Sequence, residues 1–362
     1  MSVNRCIVTV TDVIGPTSMP FNEFVLYRSK KYKNEKQIIL LLFKDKISSD
    51  VVVPEDIEIY CIGKNIKQLK YVTEKIIDDC NANDVETIFH IHEAKSVMLF
   101  DIATHGKYRD RIIYTLHSTY KNYHVRTKIL CRLASARCKA VVCVSDTSYR
   151  YYPSHLKKKY NVFSIQNGVS IERINQIYCN TQKKKNEQFQ LAYVARLVAL
   201  KRHNMLLEII SKVPDVMLNI IGSGPLMDEL KTDVKVKRLE NRIKFTGSLP
   251  RDMVYELLVN TDLYVSTSSY EGLPVSVLEA MACGIPCIVS DIEQHREIAD
   301  KCSALMLASD ENDWVEKIKM LIDMPAEKRM EIGNISRIEV QKFFSLDTMH
   351  INYNKVYGGR FE

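Results

Sequence analysis

Ser268-Ser-Tyr-Glu-Gly-Leu-Pro-Val-Ser-Val-Leu-Glu-Ala-Met-Ala-Cys-Gly-Ile-Pro286 is the stretch on which the fold turns. An apolar run, Leu263–Ser266, precedes it and reads as a buried strand. The loop Glu271-Gly-Leu-Pro274 follows, and the spacing predicts a helix over Pro274–Cys283. Pro274 suits a first helical turn, and Gly284 stands just past the helix end, where a left-handed residue commonly closes it. A second apolar run, Pro286–Ser290, completes a strand–helix–strand unit of the kind that builds parallel sheets.

The loop carries chemistry. Gly272 lets the backbone approach a ligand closely. Amides at a helix start suit hydroxyl or anionic oxygens. Glu271 and Glu279 stand eight residues apart, one in the loop and one in the helix. A carboxylate accepts hydrogen bonds from two vicinal hydroxyls, so two of them suit a sugar and a ribose. Taken singly, each glutamate also fits a cap or a solvated helix face.

Outward from this unit the same alternation repeats. Strands are predicted at Leu191–Ala195, Val216–Ile221, Ile243–Phe245 and Ala304–Leu307, and helices at His203–Lys212, Pro225–Leu239, Arg251–Asn260, Asp310–Ile322, Ala326–Phe343 and Leu346–Val356, the last with a Ser345 cap. The first half alternates too. Its apolar runs are Cys6–Val10, Ile38–Phe43, Ile57–Ile62, Thr87–Ile91, Ile112–Leu116, Ala140–Val144 and Val162–Ile165, with helices over Ile66–Asp79, Val125–Arg137 and Asp146–Lys158. The pattern lapses from Gly168 to Gln188. The expected organisation is a first domain over 1–170, a linker over 171–188, a second domain over 189–344, and a terminal helix over 345–362 packing back on the first domain. The fold class is α/β, with two Rossmann-like domains facing each other across a cleft.

Composition narrows the class. The chain has 362 residues, 46% hydrophobic and 26% charged, which excludes collagen, a coiled-coil rod and wholesale disorder. Its longest aliphatic run, Ile38–Phe43, is far short of a membrane span. The start MSVNRCIVTV does not read as a signal peptide, so a cytoplasmic location is expected. Ten cysteines without a CxxC pair read as reduced thiols and small core residues. His90 and His92 lack a partner at ligand spacing, so no zinc site is expected. Residues 1–170 carry 26 basic and 17 acidic side chains, and residues 171–362 carry 25 and 27. The basic first half fits an anionic partner and a solvated surface equally well.

Four more features bear on function. Arg196 and Lys201 lie at a strand end and the turn after it, where two cations compensate a diphosphate and each charge-assisted hydrogen bond is worth about 1.5–3 kcal/mol. Gly222-Ser-Gly224-Pro invites a dinucleotide reading, but Met227 replaces the third glycine. His117 ends an apolar strand, placed for a sugar hydroxyl or the reacting centre, or as a structural histidine. Ser145-Asp146 reads as a helix cap.

Together, Glu271-x7-Glu279 in its EGLP context, MACG-IP-CIVSD behind it, Arg196-x4-Lys201, Gly222-x-Gly224-Pro, Phe245-Thr-Gly-Ser-Leu-Pro250, Asn167-Gly-Val and Thr115-Leu-His-Ser118 resemble the retaining nucleotide-sugar glycosyltransferases of the GT-B fold, family four. The resemblance is clear over 110–350 and weak before. It implies Glu271 and His117 at the catalytic centre, and Arg196, Lys201 and Gly15 on the donor diphosphate. It places Glu271, Gly272, Leu273 and Pro274 on the donor sugar, Glu279 on the ribose, and Gly222, Gly224 and Leu249 near the base. The loop after the first strand departs from the family's paired glycines, keeping Gly15 alone.

The implied activity moves a hexose or N-acetylhexosamine from a nucleotide diphosphate sugar, UDP favoured, to a glycan acceptor with retention. The nucleotide sugar is a substrate, and no cofactor, metal or nucleic acid is expected. The basic clusters Lys30, Lys31, Lys33, Lys36 and Arg126, Lys128, Arg132, Arg137, Lys139 suggest a lipid-diphosphate-linked acceptor and an anionic membrane surface, with a peripheral place on the cytoplasmic face of a bacterial inner membrane, in O-antigen or capsule synthesis. A nucleotide-sugar epimerase and a non-catalytic carbohydrate-binding paralogue are the alternatives.

Overall fold

The computed structural model describes residues 4–12, 14, 15, 18, 20–44, 52–182 and 188–359. The chain divides into two units, with boundaries after Gln166 and again after Thr348. In the first unit β1 (Arg5–Thr11), β2 (Glu35–Leu41), β3 (Ile57–Cys61), β4 (Glu86–Ile91), β5 (Ile112–Leu116), β6 (Ala140–Cys143) and β7 (Val162–Ser164) form a parallel sheet in the order β3-β2-β1-β4-β5-β6-β7. In the second unit β8 (Phe189–Val194), β9 (Val216–Ile221), β10 (Ile243–Gly247), β11 (Leu263–Ser266), β12 (Cys287–Ser290) and β13 (Leu305–Ala308) pair in the order β10-β9-β8-β11-β12-β13.

The apolar runs are continuous because both faces of each sheet are covered. Val8 pairs with Ile38 on one side and Phe89 on the other, and all three are buried. In each sheet the strand order reverses once, between β1 and β4 and between β8 and β11. Ligands of such sheets bind beyond the strands' carboxyl ends at those two places. The cysteines are all free thiols, and Cys131, Cys143, Cys283 and Cys287 are buried core residues.

Several elements differ from the sequence expectation. Residues 171–180, read as linker, form the helix Ile171–Asn180, with Ile174 fully buried in the second unit's core. Its apolar residues do recur at helical spacing, but the polar tract that follows masks them. The expected helix Asp146–Lys158 is two, Asp146–Arg150 and Ser154–Lys159. Pro153 excludes the helical backbone from the residue before it, and Tyr152 is buried there. Helices Ala94–Ala103 and Glu293–Ala299 were not expected, and the first helical segment is a π-helical stretch, Pro20–Leu26, running into the α-helix Tyr27–Lys31. Ala94–Ala103 is buried at six of its ten positions, so it lacks an amphipathic period. Of the basic cluster Lys30, Lys31, Lys33 and Lys36, the first two lie within the helix Tyr27–Lys31, and Lys36 lies in β2 paired with Glu58 at 2.6 Å.

Residues 349–359 belong to the first unit. Arg28, fully buried there, donates to both oxygens of Glu35 at 2.6 and 2.8 Å and to Asn354 Oδ1 at 2.7 Å, and its guanidinium lies over the Tyr32 and Tyr357 rings. A guanidinium needs this many partners to be buried at tolerable cost.

In the second unit, helix Val275–Ala282 is seated by helix Ala326–Phe343. A Cβ on Gly333 would fall 2.0 Å from the Gly284 carbonyl oxygen, so only glycine permits this approach. Gly333→Ala should destabilise the protein by about 1–3 kcal/mol, the range for overpacking a close contact. Thermal unfolding reads this as a midpoint lower by several degrees, and an unchanged midpoint would show that the contact is not rigid.

Candidate active site

In the second unit, Arg196 leaves β8 and is exposed, and Lys201 ends the short turn Ala199–Lys201. Arg202 then adopts a left-handed backbone at φ 50°. For a non-glycine residue this costs on the order of 1 kcal/mol or more. The loop after β11 holds it in place. Thr267 Oγ1 lies 3.0 and 3.1 Å from the Lys201 and Arg202 carbonyls. The Tyr193 hydroxyl donates to the Lys201 carbonyl at 2.9 Å, and the Ser269 amide donates to the Leu200 carbonyl at 2.8 Å. The two loops at the strand-order reversal are thus stitched together, and Lys201 Nζ forms an ion pair with Glu271 Oε1. Both side chains are mostly buried, 20% and 12% exposed.

Glu279 is 8% exposed on helix Val275–Ala282. Its Oε1 accepts from the Tyr255 hydroxyl at 2.7 Å and lies 3.4 Å from Arg251 Nε. No hydrogen bond to its Oε2 occurs among the described residues. Gly272 is half-buried, and Leu273 and Pro274 are buried. The helix start offers fewer donors than expected, because the Val275 amide donates to the Leu273 carbonyl and the Val277 amide to that of Pro274.

Gly222 and Gly224 serve the turn that presents Arg196. A Cβ on Gly222 would fall 2.0 Å from the Ala195 oxygen, and one on Gly224 2.4 Å from the Leu197 oxygen. The Leu197 amide donates to the Ser223 carbonyl at 3.0 Å. Leu249 stands apart. It is partly buried against the core and lines a pocket with Gln190, Asn219 and Leu257 that includes none of the other expected site residues.

In the first unit, His117 follows β5. Its Nε2 and His92 Nδ1 share a hydrogen bond of 2.9 Å, and the two rings stack. His92 stacks in turn on His90, which bonds Thr115 and Tyr357, both at 2.7 Å. Burial pushes His117 down to about 4 and His90 and His92 well below the usual imidazole value, so all three are neutral at pH 7. A pocket of about 390 Å³ opens beside His117, walled by Tyr114, Tyr123, Leu130 and Lys95 among others. Gly15 follows β1. Its backbone oxygen accepts from the Ser18 amide and Asn22, and an added Cβ would meet nothing within 4 Å. Nothing in this geometry requires glycine there. Among the described residues, no group of three or more His, Cys, Asp and Glu side chains could hold a metal ion.

Sequence reasoning missed the residues that hold the site. Tyr255 and Arg251 lie one turn apart on their helix, but their convergence on Glu279 is a matter of packing. His92 did carry a signal, since His90 and His92 alternate along a strand and so share a face. His295 is buried behind the loops. Its Nδ1 bonds the Ser290 carbonyl at 2.7 Å, and Ser290 Oγ donates to the Ser268 carbonyl.

Comparison with known proteins places the chain in a family. The family model for glycosyl transferases group 1 matches residues 176–338, and that for glycosyltransferase family 4 matches residues 49–173. The putative glycosyltransferase EpsF of Bacillus subtilis is 27% identical over 197 residues, covering 50% of this chain and 51% of that protein. The UDP-Gal:alpha-D-GlcNAc-diphosphoundecaprenol alpha-1,3-galactosyltransferase of Escherichia coli is 27% identical over 232 residues, 57% of this chain and 58% of that one. The chain thus spans about half the length of the curated relatives it matches. Anabaena HepE, solved with UDP and glucose, superposes with a TM-score of 0.75 at 18% identity, over 98% of this chain and 100% of that one. With its two parallel-sheet units, the chain belongs to the group 1 glycosyltransferases of the GT-B fold.

The buried histidines set a pH dependence. Burial pushes His203 and His295 down to about 4. In the unfolded chain they titrate near ~6.5. Between these values the unfolded chain binds protons that the folded chain does not. Stability is therefore full above ~6.5 and falls on acidification toward 4, by up to about 1.4 kcal/mol per pH unit for each histidine. The thermal midpoint should drop between pH 7 and pH 5, and a flat profile would show these rings to be solvated.

Proposed function

We propose that this chain transfers a hexose or N-acetylhexosamine from a UDP-sugar to a glycan acceptor linked to a lipid diphosphate, with retention, in bacterial surface polysaccharide synthesis. The observation that carries it is the pairing of Lys201 with Glu271 at the β8/β11 reversal, beside exposed Arg196 and with Glu279 fixed by Tyr255. Cations for a diphosphate and two carboxylates for two sets of hydroxyls then lie on loops and a helix of one unit. The E. coli relative, named for a UDP-sugar donor and a diphosphoundecaprenol acceptor, and HepE, solved with UDP and glucose, support the substrate class.

In this reading Arg196 and Lys201 hold the diphosphate and stabilise its charge as it leaves. Glu271 and the Gly272–Pro274 loop hold the donor sugar, and Glu279 Oε2 takes the ribose. Neutral His117 meets the acceptor or the reacting sugar. No divalent metal takes part, so turnover in excess chelator should match turnover in magnesium. A collapse that only metal restores would overturn this reading of the diphosphate site.

The two carboxylates separate the roles. Glu279→Gln should weaken UDP binding about tenfold or more, the loss of a charge-assisted hydrogen bond. Glu271→Gln frees Lys201, so it should leave UDP affinity unchanged or tighter while depressing turnover. Arg196→Ala and Lys201→Ala should each cost more than tenfold in turnover with the fold intact. Calorimetric titration with UDP and steady-state kinetics read these outcomes, and the reverse pattern for the two glutamates would exchange their assignments. Product formed only when a lipid-diphosphate glycan is added distinguishes transfer from epimerisation of the donor.

A further inference from the structure

Helix Val125–Ser135 turns most of its large apolar side chains outward. Its buried positions are Cys131, Ala134 and Ser135. Of its four large aliphatic residues only Leu130 packs against the core, while Val125, Ile129 and Leu133 are 64%, 50% and 40% exposed. They recur every four residues and so form one ridge. A surface helix of a globular protein normally turns such a stripe inward.

The charges around the ridge are one-sided. The helix contains Arg126, Lys128 and Arg132 and no carboxylate. At about 100° per residue, Arg132 falls along one edge of the ridge and Arg126 along the other, and both are exposed. Arg132 is oriented by donating to the Tyr120 hydroxyl at 2.8 Å. Arg137, grouped with these cations on sequence, is instead held by Asp101 at 2.9 Å.

We propose that this ridge docks on an anionic lipid surface, with Val125, Ile129 and Leu133 entering the headgroup layer and Arg126 and Arg132 meeting phosphates at its edges. A second copy of the chain is a poor occupant, because a two-fold contact would set this cationic face against itself. The helix also has a working side. Thr127, Leu130 and Cys131 line the pocket beside His117. A docked helix therefore brings that pocket to the membrane, where a lipid-linked acceptor resides. The proposal rests on the lipid-linked acceptor reading above for its purpose.

The test is sedimentation of the full chain with vesicles of phosphatidylglycerol and phosphatidylcholine in equal amounts, against vesicles of phosphatidylcholine alone. No donor or acceptor is present, so the result does not depend on the acceptor reading. The wild type should sediment with the anionic vesicles and be partly released by salt. Ile129→Ser with Leu133→Ser should reduce partition by about tenfold or more, given the apolar carbon removed from the layer. Arg126→Gln should lose part of the salt-sensitive binding. All three positions are exposed, so thermal midpoints and UDP binding should match the wild type. Equal sedimentation with both vesicle types, or undiminished binding by the variants, overturns the proposal. So does a dimer in size-exclusion chromatography that Ile129→Ser with Leu133→Ser dissolves. Vesicle binding without turnover of a lipid-diphosphate acceptor supports the docking surface and counts against the acceptor reading alone.

Discussion

Strand β8 lies between β9 and β11 with all three running the same way, and the candidate donor site hangs from that pairing. Parallel strands send their carboxyl ends to one edge of the sheet. The Arg196–Lys201 loop, the Gly222–Gly224 turn and the Ser268–Pro274 loop therefore leave side by side. The chain then reaches backbone-to-backbone distance, which only glycine allows at 222 and 224. Had either strand run antiparallel, Glu271 and Lys201 would lie at opposite ends of the sheet.

The two carboxylates of the site have different surroundings, and these define what each can do. Glu271 already has a cation, so its charge is offset within the protein. Two unit charges at 4 Å interact by about 4 kcal/mol at an effective dielectric of 20. On the proposed reading, an incoming diphosphate would compete with Glu271 for Lys201 and loosen the pair. Donor binding and the placement of Glu271 would then be linked through one ammonium group. Glu279 has no such exchange. The Tyr255 hydroxyl fixes one of its oxygens at 2.7 Å and leaves the other, a geometry suited to a static hydroxyl contact.

Much of this was legible in the chain because parallel strands read as uninterrupted apolar runs, and every strand was located to within a few residues. Arg196, Lys201 and Glu271 on loops and Glu279 on a helix could be singled out because their residue types suit sugar and phosphate chemistry beyond strand ends. What escaped was set by tertiary contact. The Ala94–Ala103 helix has no polar stripe to mark it, and Ile171–Asn180 was hidden by the polar residues beyond it. The glycines at 222 and 224 were visible, but their neighbours, the Ala195 and Leu197 carbonyls, could only be seen in space. Leu249 carried no local chemistry, so only resemblance placed it near a base.

The two strand-order reversals differ in electrostatic character. At β8/β11 the loops bring an exposed arginine and a lysine. At β1/β4 the corresponding loops bring Asp12 and Glu93, with Lys95 paired to both. Ser96 also donates to Asp12 at 3.1 Å. Burial, and then the neighbouring Asp12, push the Glu93 carboxyl up, as expected where acidic groups crowd. An anion arriving there would meet two carboxylates and a lysine already engaged. The first unit thus offers neutral imidazoles at His92 and His117 and an aromatic-walled pocket, which suit hydroxyls and sugar faces better than phosphates.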